Sequence, residues 1–329
     1  MRIETSAPTR IDLAGGTIDI WPLFLFHPGA QTLNAAISLR ATARLESRDD
    51  SRIVIRSVDT NRSIEAGSWR ELADSRDLRL LALLVHFFEA EGLTLTTSSA
   101  SPAGAGIAGS SALNVAVCAA LAEFTRRHYE PEALLNVAMN VEAQTIKVPT
   151  GLQDYRPALY GGLAALELEV DGIRRVPLDV DHAELERRIV LCYTGEPRNS
   201  GTNNWEITKK HIDGDSYVFD CFERIRDTAA RMRVALERAD WDEVGRAIAE
   251  EWDNRKRLAP GVTTPAIENL IARATAAGAT AAKVCGAGGG GCLFCYGSPG
   301  HRDAIAAALA AGGARLLDYR IEHDGLTRG

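Results

Sequence analysis

The chain is short of several things, and each shortage removes a class of protein. Its 329 residues include only five lysines among 37 basic side chains, against 44 acidic ones, for a net charge of −7. A deficit of positive charge is a poor basis for gripping nucleic-acid phosphates. No apolar run approaches the ~20 residues of a membrane span, and the opening MRIETSAPTR has no apolar secretion core. These absences predict a cytoplasmic protein with neither a nucleic-acid nor a membrane partner; they leave the oligomeric state open. The six cysteines lack framework spacing and read as buried structural thiols of a reducing compartment. The one C-x-x-C, Cys292 to Cys295, has no second pair, and in a strand its two thiols face opposite sides. None of the seven histidines pairs with another at metal-ligand spacing.

The remaining composition, 46% hydrophobic and 25% charged, is that of an ordinary globular protein long enough for two domains. Alternating apolar stretches predict strands over Arg2–Ser6, Arg40–Glu46, Arg52–Val58 and Leu93–Thr97. Helical patterns cover Asp77–Glu91, Ser110 to about Arg127, and Pro131–Lys147. A hairpin is expected from Gly161 to Leu178 across Asp171-Gly172. Beyond a polar stretch at Asp179–Glu184, long helices dominate, over about Asn203–His211, Ser216–Ala239, Trp241–Arg257 and Thr264–Ala277. Strands are expected at Arg188–Tyr193, Ala279–Cys285, Cys292–Tyr296 and Arg315–Ile321, with a helix at Arg302–Ala311. The class is α+β, divided near residue 180 into units 1–180 and 181–329.

What the chain does have is clustered glycine. Of its 29 glycines, ten fall in three loops. SPAGAGIAGSSALNVAV (101–117) leads from a strand into a helix. Gly104, Gly106 and Gly109 allow a tight turn and close backbone approach, and Ser110 and Ser111 open a helix whose N-terminus suits a phosphate. The loop formally matches G-x-G-x-x-G, but the next element is another helix, so the βαβ context of a dinucleotide fold is missing. In KVCGAGGGGCLF (283–294), five glycines within six residues lie between two apolar strands, where they weaken a sheet unless something approaches the backbone. SAPTRIDLAGGTID (6–19) sets Arg10, Gly15-Gly16, Thr17 and Asp19 around a turn.

In this order and spacing the three segments resemble the three motifs of the GHMP kinases, the family of galactokinase, homoserine kinase and mevalonate kinase. The resemblance implies a two-lobed fold, with an N-terminal ribosomal-protein-like lobe and a C-terminal ferredoxin-like lobe. It also implies ATP, Mg²⁺ and phosphoryl transfer to a small-molecule hydroxyl. On that likeness the nucleotide contacts are Pro102, Gly104, Ala105, Gly106, Ile107, Ala108, Gly109, Ser110 and Ser111, with Gly288 and Gly289 of the third loop. Ser111 and Glu142 are the implied Mg²⁺ ligands. Asp154, twelve positions after Glu142, is the implied group that orients the attacking hydroxyl, with Arg10 steadying the γ-phosphate or keeping Asp154 ionised.

Asp19, nine positions after Arg10, is similar to the sugar-hydroxyl contact of sugar-1-kinases. LAGGTIDIWP, GLQDYRPALYGG and KVCGAGGGG are similar to segments of the D-glycero-D-manno-heptose 7-phosphate kinases and the fucokinase-like enzymes. That subgroup implies a sugar or sugar-phosphate substrate phosphorylated at its anomeric hydroxyl, with Gly16, Thr17 and Asp19 as contacts. Arg156 and Arg198 are candidate partners of a substrate phosphate. The chain departs from the subgroup at Thr17-Ile18, at Tyr155-Arg156 and at Asn203-Asn204-Trp205. Two other readings are a family kinase for a non-sugar alcohol and a non-catalytic sugar- or nucleotide-sensing relative.

Overall fold

The computed structural model describes residues 1–197 and 200–329, and for 200–203 the backbone alone. Arg198 therefore lies outside the described residues, as does the Asn203 side chain. The chain opens with two long strands, β1 (Arg2–Ala14) and β2 (Gln31–Ser47), antiparallel from Arg2↔Glu46 to Ala14↔Leu33. The ladder slips at Pro8/Thr9, where proline has no N–H to donate, and again between Asp12 and Ala14. There follow β3 (Ile53–Ser57), β4 (Arg62–Ala66), α1 (Arg79–Phe88) and β5 (Leu93–Ser99). Next come α2 (Gly109–Phe124), α3 (Pro131–Ile146), the short α4 (Arg156–Tyr160), and the hairpin β6 (Leu163–Glu169) and β7 (Gly172–Pro177). The second half runs α5 (His182–Arg188), β8 (Ile189–Tyr193), α6 (Ser200–Ile212), α7 (Ser216–Glu237) and α8 (Trp241–Arg255). It ends with α9 (Pro265–Ala276), β9 (Ala279–Val284), β10 (Cys292–Gly297), α10 (Arg302–Ala311), β11 (Arg315–Leu316) and β12 (Thr327–Arg328).

The strands form two sheets. One runs β12-β1-β2-β5-β3-β4, with β6 also on β2 and β7 on β6; the other runs β11-β8-β10-β9. Helices α1, α2 and α3 cover the first sheet, where Leu84, Phe88, Leu95, Val115 and Leu121 meet in one core. Alanine-rich α2 is buried along nearly its whole length; small side chains let sheet and helices close around it. The second sheet lies between two further apolar clusters. Cys292 of β10 packs in one and Cys295 in the other, as strand alternation predicts. All six cysteines are buried.

The differences from expectation are local. β1 continues past Ser6 through Arg10 and Asp12, because β2 pairs with it along its length. The polar stretch near 180 contains α5, whose Asp181 caps the Glu184 N–H at 3.0 Å. β11 ends at Leu316 instead of Ile321; the chain then returns to the first sheet, with Ile321 bridged to Ile37 and Thr327 paired with Ser6. β4, α4 and β12 were not anticipated; α4, at five residues, and β12, at two, are too short to carry a period. Among the described residues, no helix is long and apolar enough to cross a membrane.

Candidate active site

The first glycine loop forms the floor of a cleft of about 290 Å³. Gly104 and Gly106 have φ of +67° and +77°, and Ala108 shares that left-handed region at +60°. Ala108 is the N-cap of α2, and neither a side-chain cap nor a first-turn acid meets the helix start. That end of a buried helix therefore directs its N–H groups and dipole at the cleft, an arrangement suited to phosphate. The loop is stitched in place from behind. Arg10 donates from its backbone N–H to the Ile107 carbonyl at 3.0 Å, and from Nη1 to the Gly106 carbonyl at 3.0 Å. The Cys292 N–H donates to the Ala105 carbonyl at 2.6 Å.

Glu142 of α3 enters the same cleft wall. It is buried, and its Oε2 accepts from Ser111 Oγ at 3.0 Å and from Tyr155 Oη at 2.8 Å. Burial raises the Glu142 pKa, with the Tyr155 and Ser110 hydrogen bonds acting against it; burial likewise pushes the Tyr155 phenol up. A buried carboxylate beside a hydroxyl is a hard-oxygen pair in want of positive charge, so these residues fit Mg²⁺ shared with phosphates. No cluster of three or more His, Cys, Asp or Glu able to cage a metal occurs among the described residues.

Asp154 lies at the junction of this cleft and a smaller cavity lined by Arg10, Thr17, Asp19, Gln153 and Gly286; Asn204 lines both. Arg10, itself 1% exposed, grips the Asp154 Oδ1 from Nε at 3.0 Å and from Nη2 at 2.5 Å. Burial alone would lower the Arg10 pKa; the carboxylates of Asp154 and Asp12 outweigh it and hold the guanidinium more firmly protonated than usual. Asp19 is wholly buried, and its Oδ2 accepts from the Gln153 N–H at 2.9 Å. Asp19 Oδ1, Gln153 Oε1 and Asn204 Oδ1 are buried and find no hydrogen-bond partner among the described residues. Burial raises the Asp19 pKa to about 6, against the Gln153 bond. Buried acceptors left unsatisfied at a cavity mark where donors of a ligand belong.

Several anticipated residues lie elsewhere. Arg156 is buried but turned to α3, with Nη2 on Glu132 Oε2 at 2.6 Å, and it lines neither cavity. Gly288 and Gly289 also line neither. A Cβ at Gly288 would stand 2.4 Å from the Val262 carbonyl, and the Gly289 N–H donates to that carbonyl at 2.8 Å. The third loop needs glycine chiefly because the protein's own backbone approaches it. Ile107 is fully buried beneath the first loop. Gly16 has no room for a side chain: its Cβ would lie 2.3 Å from Arg255 Nη2. Thr17 Oγ1 accepts from Arg255 Nη1 at 2.9 Å.

Beneath the site is a charge cluster that sequence reasoning did not anticipate. Asp12 meets Lys283 Nζ at 3.1 Å, Arg10 Nη1 at 3.4 Å and Arg255 Nη2 at 3.5 Å, and accepts the Gly286 N–H at 2.9 Å. Glu251 completes it, with Arg255 at 2.7 Å and Lys283 at 3.1 Å. Burial disfavours the Asp12 anion, but Lys283, Arg10 and Arg255 prevail and hold its pKa well below the usual carboxylate range. The available signals were Asp12's position two after Arg10, on the same face of β1, and the i, i+4 spacing of Glu251 and Arg255.

An uncapped helix start behind a glycine loop, a buried carboxylate with a hydroxyl, and an arginine-held aspartate suit a protein that handles phosphate groups. Residues 78–162 match the GHMP kinases N terminal domain and residues 232–315 the GHMP kinases C terminal domain. A D-glycero-alpha-D-manno-heptose 7-phosphate kinase of Campylobacter jejuni is 30% identical over 98% of both chains. An L-fucokinase/L-fucose-1-P guanylyltransferase of Bacteroides fragilis is 27% identical over 88% of this chain and 34% of the relative. The solved structure of a D-glycero-D-manno-heptose 1-phosphate kinase from Bacteroides thetaiotaomicron superposes with a TM-score of 0.79 at 24% identity, covering 99% and 98% of the two chains. The chain belongs to the GHMP kinase family, with its α+β fold, and is an ATP-dependent phosphotransferase with an alcohol group as acceptor.

Proposed function

We propose that this kinase transfers the γ-phosphate of ATP to the anomeric hydroxyl of a sugar phosphate of the heptose 7-phosphate type. The observation that carries the acceptor assignment is the buried Asp19, whose Oδ1 lacks a partner at a cavity shared with Asp154. A polyol presents several hydroxyl donors at once, and Asp19, Gln153 and Asn204 each offer an oxygen to receive one. The likeness to the Campylobacter jejuni enzyme supports the same substrate class.

In this reading the loop from Pro102 to Ser111 holds the donor phosphates on backbone N–H groups and the α2 N-terminus. Ser111 and Glu142 hold Mg²⁺, which when bound neutralises charge on the phosphates being separated. Asp154 accepts a hydrogen bond from the attacking hydroxyl, aligns it with the donor and takes its proton. Arg10 fixes the Asp154 carboxylate on the acceptor side of the cleft. The unit 1–180 then carries the donor loop and the unit 181–329 packs against it, a division supported by the change of sheets between β7 and β8, although β12 returns to pair with β1.

A coupled assay across free and phosphorylated hexoses and heptoses, with mevalonate included, tests the acceptor class. Preference for a heptose phosphate supports the reading. Turnover of mevalonate alone overturns it, and ligand binding without turnover of any alcohol favours a sensor. Asp154→Asn should lower kcat by ~10²–10⁴ with ATP affinity retained, the usual range for a proton-transfer group; a near-normal rate removes Asp154 from that role.

A further inference from the structure

The ion pairs beneath the site join the two halves of the chain. Arg10 and Asp12 come from β1 of the first sheet, Lys283 from β9 of the second, and Glu251 and Arg255 from α8. Asp12 and Lys283 are both 0% exposed and lie 271 positions apart in sequence. With Asp154, the cluster balances three cations, Arg10, Lys283 and Arg255, against three carboxylates, Asp12, Glu251 and Asp154. A dry site tolerates such charges only when each is paired; removing one partner strands another.

Arg10 is where this cluster reaches the chemistry. Its Nε and Nη2 hold Asp154, while its Nη1 is shared between Asp12 Oδ1 and the Gly106 carbonyl of the phosphate loop. Asp12 is in turn fixed from the other half of the chain, by Lys283 on Oδ2 and by the Gly286 N–H on Oδ1. We propose that Asp12, anchored by Lys283, is a positioning residue that ties Arg10, and through it Asp154, to the third glycine loop, so that the acceptor-orienting carboxylate is aligned only when the two halves of the chain are seated on each other. Neither Asp12 nor Lys283 lines the donor cleft or the acceptor cavity, so both act through Arg10. Gly16 belongs to the same construction, since any Cβ there would strike Arg255 and Asp12.

This inference rests on the role given to Asp154, and a double-mutant cycle separates the two. Asp12→Asn keeps the shape and the acceptor for Gly286 but removes the charge. It should lower kcat by about 10- to 100-fold, the scale of a misplaced reacting group, with ATP affinity by calorimetry within threefold of wild type. In an Asp154→Asn background the same change should cost less than about threefold, because groups acting as a unit are non-additive. Asp12→Asn/Lys283→Met removes one charge of each sign and serves where the single variant folds poorly. It should show the same kcat loss in the native background and the same absence of loss with Asp154→Asn. A cost undiminished in the Asp154→Asn background, a native kcat, or a loss explained by weaker ATP binding overturns the positioning role. A normal rate for Asp154→Asn alone overturns instead the reading on which it rests.

Discussion

Replacing Asp19 by asparagine should stabilise the unliganded protein at alkaline pH while damaging acceptor binding. Asp19 is wholly buried with one carboxylate oxygen unpartnered, and burial lifts its pKa from 3.8 to about 6. The folded protein thus binds this proton more tightly than the unfolded chain does. By linkage, the group makes the fold less stable as pH rises between those values, and the penalty stays constant above about 6. At about 1.4 kcal/mol per pKa unit the shift corresponds to about 3 kcal/mol. An asparagine N–H left without a partner gives back ~1–2 kcal/mol of that, so a net gain of ~1–2 kcal/mol remains at pH 8. For a chain of this length that is a rise in Tm of roughly 1–3 °C. At pH 4 or below the gain should turn into a loss of ~1 kcal/mol, since aspartate is then protonated in the fold and only the cost of the asparagine N–H remains. Scanning calorimetry of wild type and Asp19→Asn at pH 4, 6 and 8 reads the difference directly, and acceptor KM should rise about tenfold or more while ATP KM is unchanged. A variant less stable than wild type by the same amount at all three pH values would show that Asp19 carries no buried-charge penalty, and the argument for a preformed acceptor site would fall with it.

The other sites give equally specific expectations. Glu142→Gln keeps the shape that meets Ser111 and Tyr155 but removes the charge; the Mg²⁺ concentration for half-maximal rate should rise about tenfold or more, and an unchanged metal dependence would remove Glu142 as a ligand. Gly106→Val puts a β-branched residue at φ +77° in the cleft floor and should raise the ATP Kd by at least about tenfold; native affinity in a folded variant would exclude that loop from the donor site. Gly151→Ala would bring a Cβ to 2.5 Å from Asp19 Oδ2, so acceptor KM should rise with ATP KM unaffected, and an equal effect on both would argue that the acceptor does not use Asp19.

The three glycine loops were legible because glycine spacing is a short-range pattern, and the structure places the first along the cleft and the turn after β1 along the cavity that adjoins it at Asp154. The reason for the glycines was only partly legible. At Gly104 and Gly106 the backbone turns toward the cleft, whereas at Gly15, Gly288 and Gly291 the atoms that exclude a side chain are the protein's own carbonyls of Gln31, Val262 and Ala105. Sequence shows that something comes close to a glycine, but the closeness of a distant strand is a tertiary fact. The same limit hid Asp12, Glu251, Arg255 and Lys283. A charged residue in a strand or on a helix ordinarily faces water, and the exception here turns on Asp12, whose partners Arg255 and Lys283 lie more than two hundred positions away. Arg156 shows the opposite limit: two positions after Asp154 in sequence, it turns away from it at the start of α4 and meets Glu132.

The cluster also changes where the positive potential for a polyphosphate comes from in a chain of net charge −7. Arg10 stands closest to the chemistry, yet its side chain is directed at Asp154, Asp12 and the Gly106 carbonyl. Its charge is balanced inside the protein before any nucleotide arrives. Lys283 and Arg255 are fully buried and balanced in the same way. Among the described residues no lysine or arginine lines the cleft, so on the proposed reading its attraction for phosphate there comes from neutral donors, the backbone N–H groups of the glycine loop and the uncapped start of α2, helped by the cation that Ser111 and Glu142 suit. Fixed dipoles of this kind need no mobile side chain to be drawn in and ordered. On this reading the buried arginines and lysine keep the aspartates and the loop carbonyls in place, and the backbone holds the phosphates.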